Sequence, residues 1–127
     1  MKAAVIQLSA GTDKKKNIEK AVWRVKEAIK RRARFILLPE VFIYRGKISG
    51  QGHLNTLAED IPGESIQPLM ELAGKHKVFI LAGSLYERIK GTKKVYNTSV
   101  FINDRGKIGA STARFIFLRL ILEREEF

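Results

Sequence analysis

The 127-residue chain contains no cysteine. Disulfides, thiolate metal sites and a cysteine nucleophile within these residues are thereby excluded. Long apolar runs are lacking too: none approaches the ~20 residues that span a bilayer. The N-terminal Val5-Ile6-Gln7-Leu8 stretch is too short for a secretory core, and no cleavage-like site follows it. These features predict a cytoplasmic chain with no membrane association. Negative charge is scarce, with 13 Asp+Glu against 24 Lys+Arg and a formal net charge of +11. Neither a Walker loop nor a GxGxxG motif occurs, so no nucleotide cofactor is implied. His53 and His76 are far apart in sequence and lack ligand-like companions, so no metal site is expected.

What is present suits one folded domain. Hydrophobic residues make up 45% and charged residues 29%, a balance typical of globular chains, and the length suffices for one core. Residues 2–9, 34–39 and 78–84 are short apolar runs bounded by turn signals and read as buried strands. Ile18, Ala21, Val22, Val25, Ala28 and Ile29 recur at three- and four-residue spacing. They predict a helix capped by Asp13, with Trp23 off the stripe and the basic residues on the solvated face. Residues 41–60 read as a loop. Ile66, Leu69, Met70, Leu72 and Ala73 predict a second helix, ended by Gly74. Residues 95–103 and 107 to about 110 read as a hairpin around Asn103-Asp104-Arg105-Gly106. The order of elements predicts an α/β fold: a mixed sheet with two helices on one face.

Glu40 is the leading candidate for chemistry. It directly follows a buried strand, at the carboxyl mouth where open α/β sheets hold ligands. Partial burial there would raise its pKa and suit it to general-base work; an exposed loop glutamate or a helix cap is the alternative. Ser84 follows Gly83 after a strand, but no Gly-x-Ser-x-Gly elbow surrounds it. The basic balance keeps a nucleic-acid-binding module in view. Against it, the cations are spread along helices and loops without interleaved aromatics, so a nucleic-acid partner is not the favoured expectation.

Leu37-Leu38-Pro39-Glu40-Val41-Phe42 resembles the glutamate motif of the carbon–nitrogen hydrolases, the nitrilase and amidase superfamily. Val5-Ile6-Gln7-Leu8, Asn17, Ile61-Pro62-Gly63, Ala82-Gly83-Ser84 with Glu87, Tyr96-Asn97-Thr98-Ser99 and Gly106-Lys107-Ile108 follow in the family's order. The resemblance covers residues 1 to about 110. It implies half of a four-layer α-β-β-α sandwich and hydrolysis of non-peptide C–N bonds in small amides or nitriles. It also implies a Glu-Lys-Cys mechanism without metal or organic cofactor. Glu40 matches the family's glutamate; Tyr44 and Asn97 are weaker candidates for the site wall, and for Asn97 a hydrogen-bonded turn role is expected. The family's lysine segment, Tyr-Arg-Lys-x-His-Leu-Phe, belongs after Gly106-Lys107-Ile108, where this chain reads Ser111-Thr112-Ala113-Arg114-Phe115-Ile116-Phe117-Leu118.

The genetic code links the two. Codons read from the third base of one residue and the first two of the next permit Lys-Tyr-(Ser/Arg)-Lys-Ile-His-(Leu/Phe)-Phe from Ala110 through Leu118, with Lys arising at Arg114. The expectation is therefore that residues 1–110 form the N-terminal part of a carbon–nitrogen hydrolase domain and that 111–127 are an out-of-frame tail. Such a chain would be inactive alone and prone to self-association, because the sheet face that the second half of the fold would cover stays apolar. The rival readings are a basic nucleic-acid-binding module and a non-catalytic subunit docking on a full-length paralogue.

Overall fold

A computed structural model describes residues 1–116. Its elements run β1 (Ala3–Val5), α1 (Lys14–Lys30), β2 (Phe35–Leu37), α2 (Gln51–Leu57), α3 (Gln67–His76), β3 (Phe79–Arg88), β4 (Val95–Ile102) and β5 (Ile108–Ile116). The five strands form one sheet in chain order. β1, β2 and β3 are mutually parallel, whereas β3–β4 and β4–β5 are antiparallel. The α/β mixed sheet is as the sequence predicts. Parallel neighbours need a crossover, which α1 supplies between β1 and β2 and the α2–α3 segment between β2 and β3.

Alternation along the strands divides the sheet into two faces. Ile36, Ile80, Ala82, Val100 and Ile102 are buried together with Ile18, Ala21, Val25 and Ala28 of α1 and Leu69 and Ala73 of α3. The other face carries Phe35, Phe79 and Phe101, whose rings stack at centroid separations of 5.9–6.2 Å. Nearby, Val5 on the edge strand is 77% exposed.

α1 starts as expected: Asp13 Oδ1 accepts from the Lys16 backbone N–H at 3.2 Å. Trp23 is exposed, with the Arg24 guanidinium 5.3 Å from its ring centroid. Three boundaries differ from the sequence reading. The 41–60 loop contains α2, which offers only Leu54 and Leu57 to the core; tertiary packing holds a seven-residue helix too short to announce itself. α3 runs past Gly74 to His76, and Lys77 supplies the left-handed cap at φ 54°. Gly74 is instead a close approach: a Cβ there would lie 3.1 Å from the Arg105 carbonyl oxygen. At the hairpin turn, Gly106 has φ 74°, and its Cβ would lie 2.5 Å from the Met70 carbonyl oxygen. Helix and hairpin thus meet through two glycines. Finally, the returning strand does not stop near residue 110. Its backbone stays paired with β4 to Ile116, so the expected 111–127 tail begins inside the sheet; residues 117–127 lie outside the described residues.

Candidate functional site

The site is built around the end of β2. Leu38 N–H donates to the Leu81 carbonyl at 2.9 Å, and Pro39, having no N–H, ends the ladder. The chain then passes over β3 at Gly83. A Cβ on Gly83 would lie 2.1 Å from the Leu38 carbonyl oxygen and 2.6 Å from the Pro39 carbonyl carbon, so only glycine permits this crossing. β3 is irregular at the same place, its register with β4 shifting between Ala82 and Leu85. A bulge re-aims side chains, and here it frees Ser84. The buried Ser84 Oγ accepts from Val41 N–H at 2.9 Å. Val41 has φ 46°, a conformation rare for a β-branched residue and costing about 1–3 kcal/mol. The strain sits immediately after Glu40.

Glu40 emerges from this elbow with its carboxylate over β4. Asn97 Nδ2 donates to Glu40 Oε1 at 3.1 Å. Asn97 is therefore no turn residue: it lies within β4, opposite Tyr86 of β3 and residue 114 of β5 in backbone register. Glu40 itself is exposed rather than partly buried, because it leads out of the sheet on a turn. Ser99 Oγ donates to the Gly83 carbonyl at 2.5 Å and further fixes the crossing.

Tyr44 is buried, donates its hydroxyl to the Lys47 carbonyl at 2.8 Å, and packs edge-on against His53 with ring centroids 5.4 Å apart. Its ring supports the loop after Glu40. His53 Nδ1 accepts from Ser49 N–H at 3.1 Å. No cluster of metal-ligating side chains occurs among the described residues.

Two contributors escaped the sequence reading. Tyr86 is buried beside the site. Burial pushes its hydroxyl pKa up, with Tyr44 adding to the rise, Arg45 opposing it and Glu40 contributing further. No local pattern marks Tyr86, whereas the Gly83-Ser84 doublet inside an apolar strand does signal a bulge. Asn17, noted earlier only for its resemblance, is a clamp. Its Nδ2 donates to the Gly11 and Ile43 carbonyls at 2.8 and 2.9 Å, and its Oδ1 accepts from Gly11 N–H at 2.9 Å. It ties the loop after β1 to the loop after Glu40. A second buried anchor, Glu59, accepts from Ser65 N–H and pairs with Lys14 at 3.1 Å, fixing the turn before α3. Alongside the elbow, a cleft of about 780 Å³ is bordered by Val5, Leu8, Arg24, Leu37 and Pro39.

This arrangement offers a carboxylate aimed by one amide on a rigid elbow, suited to accepting and returning a proton. Comparisons with known proteins place the chain among relatives. The chain is 35% identical over 107 residues to nitrilase homolog 2 of Dictyostelium discoideum, covering 84% of this chain and 32% of that protein. It is 41% identical over 99 residues to omega-amidase NIT2 of Danio rerio, covering 77% and 34%. The crystal structure of Saccharomyces cerevisiae Nit3, a member of branch 10 of the nitrilase superfamily, superposes with a TM-score of 0.72 at 29% identity, covering 87% of this chain and 43% of that one. The chain thus spans about a third of the length of these curated relatives. No helix among the described residues is long and apolar enough to cross a membrane. With the carbon–nitrogen hydrolase profile matching residues 2–123, this chain belongs to the carbon–nitrogen hydrolase family.

Proposed function

We propose that this chain is the glutamate-bearing portion of a cytoplasmic hydrolase of small carboxamides, of the omega-amidase kind, and that the 127-residue chain by itself does not turn substrate over. The observation that carries the reading is Glu40, held at the carboxyl mouth of β2 by Asn97 Nδ2. In the proposed reaction a thiolate attacks the amide carbon, a lysine stabilises the oxyanion, and Glu40 takes the thiol proton and returns it to the leaving amine. The chain contains no cysteine, and a correctly aimed base does not replace a nucleophile. Neither metal nor organic cofactor enters this scheme.

We further propose that residues 111–127 are read out of frame. What supports this is register: residue 114, where the shifted reading yields Lys, pairs with Asn97, which in turn holds Glu40. The open face bearing Phe35, Phe79 and Phe101 supports self-association rather than nucleic-acid binding as the chain's macromolecular contact.

The DNA around codons 108–114 tests the frame, and a one-base correction near codon 110 should open a continuing reading frame that encodes a cysteine after a buried strand. The corrected protein should hydrolyse a small amide such as propionamide, and Glu40→Gln should abolish turnover. Glu40-dependent turnover by the 127-residue chain would overturn the inactivity; a downstream sequence without such a frame would overturn the frameshift.

A further inference from the structure

Ser84 receives two consecutive backbone N–H groups of the elbow after Glu40. Its side-chain Oγ accepts from Val41 at 2.9 Å and its carbonyl accepts from Phe42 at 3.4 Å. The second bond is long, so the hydroxyl is the closer tie. Upstream, Leu38 N–H on the Leu81 carbonyl fixes the chain at 2.9 Å, and Pro39 has a locked φ. Glu40 is thereby bracketed between two ties to β3. Its own side chain is exposed and, among the described residues, makes one hydrogen bond, to Asn97. Nothing in the core grips it, so its direction follows the backbone at residues 40 and 41.

That backbone is strained. Val41 has φ 46°, and a β-branched residue stays in the left-handed region only where its surroundings hold it there. The strain is comparable in size to one buried hydrogen bond, and the bond on offer comes from a serine 2% exposed. We infer that Ser84 is a positioning residue for the candidate base: its hydroxyl holds Val41 in the left-handed conformation and so aims Glu40 at Asn97. The use of that aim rests on the amide-hydrolase reading above. The margin is small. Asn97 Nδ2 stands 3.1 Å from Glu40 Oε1, and about 0.5 Å more takes the pair out of hydrogen-bond range. Released from Ser84, Val41 returns to the extended region, the peptide between residues 40 and 41 turns, and the carboxylate leaves Asn97. Misplacement of a catalytic group by about 1 Å can cost about a hundredfold in rate.

The test reads the Asn97 side-chain NH2 resonances of the 15N-labelled 127-residue chain. Glu40→Ala marks where they lie when the bond to Glu40 is absent. Ser84→Ala should move them most of the way to that mark and add nothing further in a Glu40→Ala background. Ser65→Ala removes another buried hydroxyl, one bonded to Glu59, and should leave them in place even as it destabilises the fold. In the unaltered chain, Val41 N–H should exchange with solvent at least about tenfold more slowly than an open amide, the protection of one hydrogen bond. That measurement stands even if Ser84→Ala does not fold. Asn97 resonances unmoved by Ser84→Ala, the same shift with Ser65→Ala, a shift persisting in the Glu40→Ala background, or an unprotected Val41 N–H each overturns the inference and leaves the hydrolase reading standing. Asn97 resonances unmoved by Glu40→Ala overturn both, because the Glu40–Asn97 bond carries that reading.

Discussion

Asn17→Ala isolates the clamp beneath the site. Asn17 is 2% exposed and its side chain makes three hydrogen bonds to backbone, two of them to Gly11 and one to Ile43. Gly11 is exposed, so water can replace both of its bonds, at about 0.5 kcal/mol each. Ile43 is fully buried, and its carbonyl bears the desolvation cost of a lost partner, about 1–3 kcal/mol. The expected loss is therefore about 2–4 kcal/mol, a large share of the ~5–15 kcal/mol that holds a domain together. Urea denaturation followed by far-UV circular dichroism measures it, with Lys16→Ala on the exposed face of α1 as the control expected within about 0.5 kcal/mol. Asn17→Asp sharpens the test. It keeps the acceptor for Gly11 N–H but turns a carboxylate oxygen toward the two carbonyls that Nδ2 now serves, so at neutral pH it should cost more than alanine. A loss below about 0.5 kcal/mol for Asn17→Ala would refute the clamp.

Gly83→Ala should destabilise by about 3 kcal/mol or more, since the new methyl meets backbone rather than a yielding side chain; a thermal melt within about 1 °C of the parent would contradict the close crossing. Tyr86 gives a pH signature. Its folded pKa is raised by burial and by Tyr44 and Glu40 against the opposing Arg45, so its contribution is full below the unfolded value of about 10 and is lost as pH rises from there through the folded pKa. Tyr86→Phe should therefore lose less stability than the parent between neutral pH and pH 11, and parallel stability curves would refute the assignment. The open aromatic face should produce concentration-dependent sedimentation, reduced by Phe79→Lys; a parent chain sedimenting as a monomer at all concentrations would refute the proposed association.

Local physics made much of this molecule legible in its residues. The three- and four-residue spacing from Ile18 to Ile29 dictates an amphipathic helix, Asp13 supplies its cap, and short apolar runs before Pro39 and Ser84 dictate buried strands. Glu40 could be singled out because its place after a strand is a property of order along the chain. Short-range pattern was weaker where packing decides. Leu54 and Leu57 are too few to declare α2, and Gly74 reads as a helix stop although it is an approach point for Arg105.

The working arrangement of the site belongs to tertiary structure. Asn97 is 57 residues from Glu40, and nothing in its neighbours reveals that β4 would carry it beneath that carboxylate. Likewise, a glycine at 83, a serine at 84 and a strained valine at 41 acquire their roles only when β2 crosses the β3 bulge. Periodicity determines which face of an element is buried, because side-chain direction repeats along the backbone. Which distant side chains then meet is set by strand register and by a turn of a few residues, where one methyl group in the wrong place would move Glu40 off its partner.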